Sequence, residues 1–175
     1  MGKDSAIRLR QSEPGDAGYV AYMHGRYYWK YHSFYEGAEF YFIKHLADFV
    51  HDPEGGCLWI AEVGESIVGS VGIVRVDGDT AQFRWFFVEK IYQHMGIGSR
   101  LMKTALDFCR ERNYKNIFLW TFKGLDTARH LYDKAGFILT EEKPNHEWSS
   151  VEIIEQKMEL SLGLGESNPY AQSAP

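Results

Sequence analysis

The spacing of apolar positions changes several times along the chain, and each change marks an element. Ile7–Arg10 alternates apolar and basic residues before Glu13-Pro14-Gly15-Asp16, whose turn and cap chemistry predicts a short strand and then a helix from about Asp16. Phe40, Ile43, Ala47 and Val50 recur at three- and four-residue intervals, which predicts a second helix over Glu36–Val50. After Gly55-Gly56 the β-rich runs Cys57–Val63, Ile67–Val76 and Ala81–Val88 are separated by Gly64-Glu65 and Asp77-Gly78-Asp79, the signature of antiparallel hairpins. Glu89–Gly98 then reads as a loop. It feeds a helix over Ser99–Arg112 with Leu101, Met102, Ala105, Leu106 and Cys109 on one face. Asn116–Thr121 is a short buried strand, and Asp126–Ala135 is a helix closed by Gly136. A further strand starts at Phe137–Leu139, Pro144 follows it, and Val151–Leu162 is the last strand. The predicted order, β-α-α-β-β-β-α-β-α-β-β, is an α/β arrangement around a mixed sheet. A site is expected where hairpins give way to crossovers, at Val88–Gly98.

Length and composition narrow the function classes. At 175 residues the chain is expected to form one domain over 1–162, followed by a small, polar, loosely ordered tail over 163–175. Nineteen Lys and Arg against 24 Asp and Glu give a net charge of −5, which disfavours a nucleic-acid partner because phosphate neutralisation needs a basic face. No stretch approaches the uninterrupted apolar length of a membrane span and the N-terminus has no apolar leader, so no membrane partner and a cytoplasmic location are expected. Cys57 and Cys109 read as buried small hydrophobes of a reducing compartment. Eleven of the chain's 27 Phe, Trp and Tyr residues fall between Tyr19 and Phe42, a density that either packs helices onto the sheet or lines a pocket.

Residues 93–98 read Gln-His-Met-Gly-Ile-Gly between a strand and a helix. Gly96 and Gly98 have no side chain to block a phosphate, and the unpaired N–H groups of the helix's first turn point at the same spot. A diphosphate could sit there. No Gly-x-x-x-x-Gly-Lys-Ser/Thr run occurs, and the third glycine of a dinucleotide fingerprint is replaced by Leu101.

Gln93-x-x-Gly96-x-Gly98 after a strand ending at Val88, together with Ala128-x-x-Leu131-Tyr132-x-x-x-Gly136-Phe137, resembles the two signatures of the GCN5-related N-acetyltransferase (GNAT) superfamily. The resemblance runs from Ile7 to Leu160. It is nearest to the acetyltransferase half of proteins that fuse a MarR-type winged helix to a GNAT domain, through His24-Gly25-x-x-Tyr28, Ala47-Asp48-Phe49, Leu119-Trp120-Thr121, Pro144-x-His146, Glu152 and Gln156. No winged helix precedes the domain, so a free-standing version is expected. The resemblance implies a GNAT fold: a mixed, mostly antiparallel sheet of six to seven strands flanked by four helices. It implies acetyl-CoA as co-substrate, with its pyrophosphate on backbone N–H groups of Met95, Gly96, Ile97, Gly98, Ser99 and Arg100. Gln93, His94 and Ala128 belong to the same cofactor site, and the pantetheine arm would pair with Phe87 and Val88 like an added strand. Tyr132 matches a tyrosine that protonates the departing thiolate, a task suited to a phenol near pKa ~10. Leu125 stands where an Asn is frequent, and Gln82, which takes no proton at neutral pH, stands where one branch of the family has its general base.

An incoming ammonium must lose a proton before it attacks a thioester. Glu89, next to the cofactor strand, and Glu152, in the last strand, are the candidate bases beside a relay of waters, and His24, Tyr28 and Trp85 are candidate acceptor-site residues. No His-Glu-x-x-His or paired-Cys spacing occurs, so no metal is expected. The expected function is transfer of acetyl from acetyl-CoA to a primary amine of a small molecule, amino acid or peptide, by direct attack in a ternary complex. The alternatives are a non-catalytic acyl-CoA sensor and a regulatory binding module. A homodimer through exposed sheet edges is expected by analogy.

Overall fold

A computed structural model describes residues 7–163. Its elements follow the predicted order: β1 (Ile7–Gln11), α1 (Asp16–His32), α2 (Glu36–His51), β2 (Cys57–Val63), β3 (Ser66–Arg75), β4 (Thr80–Val88), α3 (Ile97–Glu111), β5 (Asn116–Phe122), α4 (Asp126–Ala135), β6 (Ile138–Asn145) and β7 (Ile153–Ser161). The strands form one seven-stranded sheet ordered β1-β2-β3-β4-β5-β7-β6, in which β4 and β5 run parallel and the other neighbours antiparallel.

Three boundaries near the site differ from the sequence pattern, and so does one cap. Strand β6 continues through Pro144 to Asn145. It is an edge strand, where a missing N–H leaves no ladder bond unmade. Strand β7 begins at Ile153, so Glu152 stands in the preceding loop rather than in the strand. Helix α3 begins at Ile97 on an N-cap Gly96 with φ +81°, which brings Gly98 inside its first turn. Helix α1 is capped by Gly15 without a side-chain bond, because the Asp16 carboxylate is turned to Arg10 instead. The tail expected over 163–175 lies, beyond Gly163, outside the described residues.

The sheet carries a core on each face. Leu101, Met102, Ala105, Leu106 and Cys109 of α3, with Ala135 of α4, bury their apolar stripes against Val71, Ile73, Ile117 and Met158. On the other face Val20 and Met23 of α1 and Phe42, Leu46 and Phe49 of α2 cover Leu58, Ile60 and Phe122. Strand β3 is therefore buried on both sides, which explains its nearly continuous apolar run.

Strand β4 changes sides partway along. Ala81 and Phe83 face the α3 core, whereas Trp85 and Phe87 belong to the α1–α2 core, and Phe86 and Val88 pack back against α3. The cause is a bulge: Ser70 pairs with Phe87 but Gly72 pairs with Arg84, and Trp85 takes a left-handed φ of 48°. The Ser70 hydroxyl donates to the Trp85 carbonyl at 2.7 Å and pins the extra residue. β4 pairs with β5 only at Thr80, Ala81 and Gln82. Beyond that point the bent strand diverges from its neighbour, and the sheet opens.

Candidate active site

The opening between β4 and β5 is a cleft of about 620 Å³. Its floor is Gln82–Phe86 and Leu119–Phe122, and its walls come from α1, α2, α4 and residues 143–148 with Glu155 of β7. A second, narrower cavity of about 170 Å³ runs from Phe86–Val88 past Gln93, His94 and Gly98 to the start of α4. Tyr28, Phe86, Leu125 and Ala128 line both cavities, so the two meet there.

The narrow cavity ends at the N-terminus of α3. A helix starting at Ile97 leaves the N–H groups of Gly96, Ile97, Gly98 and Ser99 without intrahelical partners. Arg100 differs from expectation: its N–H already donates to the Gly96 carbonyl at 3.1 Å and its guanidinium to the Ile7 carbonyl at 2.9 Å, so its backbone is not free for phosphate. Met95, one residue before the cap, is exposed, while the Ile97 side chain is sealed in the core. A Cβ at Gly98 would lie 2.8 Å from Leu131 Cδ1, so a side chain there would have to displace that methyl group. His94 has a left-handed φ of 63° that helps turn the loop. Gln93 braces this loop by donating Nε2 to the Val88 carbonyl at 3.1 Å, which occupies one of the strand groups expected to pair with a ligand. These unpaired N–H groups and the glycine-lined approach fit a pyrophosphate, and the cavity along Phe86–Val88 fits an extended arm.

Tyr132 sits on α4 where the wide cleft deepens, nearly buried, with its ring 5.8 Å from Phe86 and 6.0 Å from Phe83 and Phe137. Burial pushes its phenol well above the usual tyrosine value, so the proton stays on at neutral pH. His24 is buried among Tyr28, Phe42 and Phe87. Its pKa is lowered to about 4 by burial, which makes it a neutral wall and a weak base. Tyr28 lines the cleft and stacks on Phe42. Trp85 also borders the cleft, but its ring packs against Phe49 beside Gly72, and its indole N–H is buried without a partner.

Neither candidate base reaches the chemistry. Glu89 lines neither cavity, because it follows the end of β4 where the chain turns away; its backbone N–H bonds the Val68 carbonyl. Glu152 is exposed and 3.7 Å from His146, outside the lining. Among the described residues two carboxylates line the cleft, Glu147 and Glu155, and Glu155 is held 3.3 Å from Lys143 Nζ while accepting from Asn145 Nδ2 at 3.1 Å. Arg84, Lys143 and Asn145 are further polar lining residues absent from the sequence-derived set. In the narrow cavity His32 keeps a buried Nε2 with no partner. Among the described residues no cluster of three or more His, Cys, Asp or Glu could hold a metal, and no helix is long and apolar enough to cross a membrane.

A splayed β4–β5 pair with a bulge on one strand thus lies beside the open N-terminus of α3. The chain belongs to the acetyltransferase (GNAT) family, whose sequence profile matches residues 22–137. It is similar to human N-acetyltransferase 8B, 33% identical over 100 residues, a match covering 54% of this chain and 44% of that protein. The probable N-acetyltransferase camello of Xenopus tropicalis is 29% identical over 123 residues, covering 67% of this chain and 56% of its own. The chain thus spans about half the length of these curated relatives. Among solved structures, the putative acetyltransferase yncA of Salmonella typhimurium with its cofactor acetyl-CoA superimposes with a TM-score of 0.72 at 16% identity, over 93% of this chain and 98% of that one. Ard1 from Thermoplasma volcanium does so with a TM-score of 0.68 at 26% identity, over 87% and 96%.

Proposed function

We propose that the protein transfers acetyl from acetyl-CoA to a primary amine by direct attack in a ternary complex. The observation that carries this reading is the junction at Tyr28, Phe86, Leu125 and Ala128, where a phosphate-accepting groove opens into an aromatic, polar-rimmed cleft beside Tyr132. The N–H groups of Gly96–Ser99 hold the pyrophosphate, and the edge of β4 beyond Gln82 holds the arm. Glu155, directly or through water, takes the proton of the acceptor ammonium. The freed lone pair attacks the thioester carbonyl, the C–N bond forms and the C–S bond breaks. Tyr132 gives its proton to the departing thiolate. No acyl-cysteine step is invoked, since burial raises the Cys57 and Cys109 thiols to about 11 and about 12, far from the thiolate form.

The reading includes a cytoplasmic location, an acceptor that is not nucleic acid, and kinship with the acetyltransferase half of MarR–GNAT fusions. It also includes self-association through the sheet edge at β1 or β6. A sensor that binds acyl-CoA without turnover is favoured by Leu125 and Gln82, which stand in the cleft without the expected polar and titratable groups.

The test is titration with acetyl-CoA, with ATP as comparator, followed by thiol release against an amine panel. Saturable acetyl-CoA binding is expected, with Tyr132→Phe keeping that affinity within about threefold while kcat falls roughly 10²- to 10⁴-fold. Binding without thiol release from any amine selects the sensor, and failure to bind acetyl-CoA ends both readings.

A further inference from the structure

Arg84 is the one cation lining the wide cleft that has no carboxylate within ion-pair distance among the described residues. Its Nη2 donates to the Tyr41 hydroxyl at 2.9 Å and its Nη1 to Gln82 Oε1 at 3.4 Å, both neutral groups. The guanidinium lies 5.4 Å from the Tyr41 ring and 5.2 Å from the Trp85 ring, so this half-buried charge is flanked by aromatic surface. Asp48 acts on it only through space, and is itself 3.5 Å from Lys44. The other permanent cation of the lining differs: Lys143 is paired with Glu155, and the His146 ring lies 3.7 Å from Glu152. A desolvated charge held by neutral donors and acceptors is costly unless an anion completes it. Alternation from Ala81 and Phe83 puts Arg84 on the cleft face, and the bulge brings Trp85 to that same face, with its indole N–H buried and unpartnered. Across the cleft the residue 143–155 wall carries the carboxylates of Glu147 and Glu155. The same wall carries the Lys143 ammonium paired with Glu155, so the cleft sets the Arg84 charge on β4 against a wall whose carboxylates outnumber its ammonium.

We infer that the acceptor is a small amino acid whose carboxylate pairs with Arg84 while its ammonium faces the Glu155 wall. This rests on the acetyl-transfer reading and specifies its acceptor. A guanidinium fork matches a carboxylate, and loss of a charge-assisted pair in a dry site typically weakens recognition about 10- to 100-fold.

The experiment uses matched acceptors that differ only in that group: an apolar amino acid, its primary amide and its decarboxylated amine. In the wild type, kcat/KM for the acid exceeds that for the amide and the amine by at least about tenfold, chiefly through KM. Arg84→Met removes the preference and Arg84→Lys keeps part of it, with acetyl-CoA affinity and the urea midpoint reporting that each variant is folded. Binding of the N-acetylated acid and the N-acetylated amide in the presence of CoA reads the same subsite without turnover. Equal rates or equal binding for acid and amide in the wild type, or a preference that survives Arg84→Met, overturns the assignment. If no amine is acetylated but the acid binds in an Arg84-dependent way, the carboxylate site stands and the acetyl-transfer reading fails.

Discussion

His24 lies wholly out of water with Nδ1 2.8 Å from the Val20 carbonyl. A carbonyl can only accept, so Nδ1 carries the hydrogen and Nε2 is bare. Burial lowers the pKa from 6.5 to about 4. The unfolded chain then takes up a proton across a window in which the folded protein does not, and stability falls as pH drops from about 6.5 to about 4, by roughly 3 kcal/mol in all. Urea unfolding at intervals through this window should show that loss in the wild type and a flatter profile in His24→Gln. Identical slopes would mean that His24 is already charged in the folded state.

At the scale of elements, the bulge in β4 positions the site. Gly72 lies opposite it, and a Cβ there would collide with the Trp85 ring. Gly72→Ala is therefore expected to destabilise the protein by about 1–3 kcal/mol, as overpacking does. Displacing Trp85 also moves Arg84, so KM for the acceptor should rise while affinity for CoA, held on α3, stays the same. A variant with wild-type urea midpoint and kinetics would show that the sheet accommodates the methyl group freely. The contrast between α3 and β4 shows what a sequence makes legible. Gln93–Gly98 and Tyr132 could be read because each belongs to a local pattern, a loop at a helix start or a helical face. Arg84 could not, since strict alternation over Ala81–Val88 groups it with Phe86 and Val88, and only the register shift at Trp85 parts it from them and sets Trp85 beside it. Glu155 escaped for a different reason. Its partners Lys143 and Asn145 come from β6, and that pairing exists only once Pro144 is accepted into an edge strand.

For the whole molecule, the two faces of the sheet divide the work. In the proposed reading α3 and the loop before it carry the phosphate end, whereas α1 and α2 close the acceptor cleft over the opposite face. Beside the apolar packing of Val20 and Met23, an ionic cluster ties the start of α1 to the sheet: Arg10 of β1 contacts Asp16 at 2.5 Å and Glu62 of β2 at 2.7 Å, and Asp16 also accepts the Glu13 N–H at 2.7 Å. All three side chains are mostly shielded from solvent, at 16%, 9% and 14% exposed, so the pairs are less screened than surface bridges. The Arg10 guanidinium holds the Asp16 carboxyl below its ordinary pKa. A carboxyl depressed on folding contributes stability above its unfolded value near ~3.9 and loses it as pH falls through the folded one. Asp16→Asn should thus cost about 1.5–3 kcal/mol at neutral pH, the usual worth of hydrogen bonds to a charged group. That deficit should stay constant down to about pH 5 and shrink only below about pH 4, where the unfolded wild-type chain begins to take up a proton that the folded carboxyl still resists. Hydrogen exchange supplies the spatial half of the test. If the cluster is the fastening, amides of α1 exchange faster in Asp16→Asn while those of α3 do not, because the two helices pack on opposite faces of the sheet. Uniform acceleration across both helices would mean that the cluster supports global stability only. Acceleration confined to α1 would place the weak seam of the molecule at the acceptor cleft, where an amine has to enter.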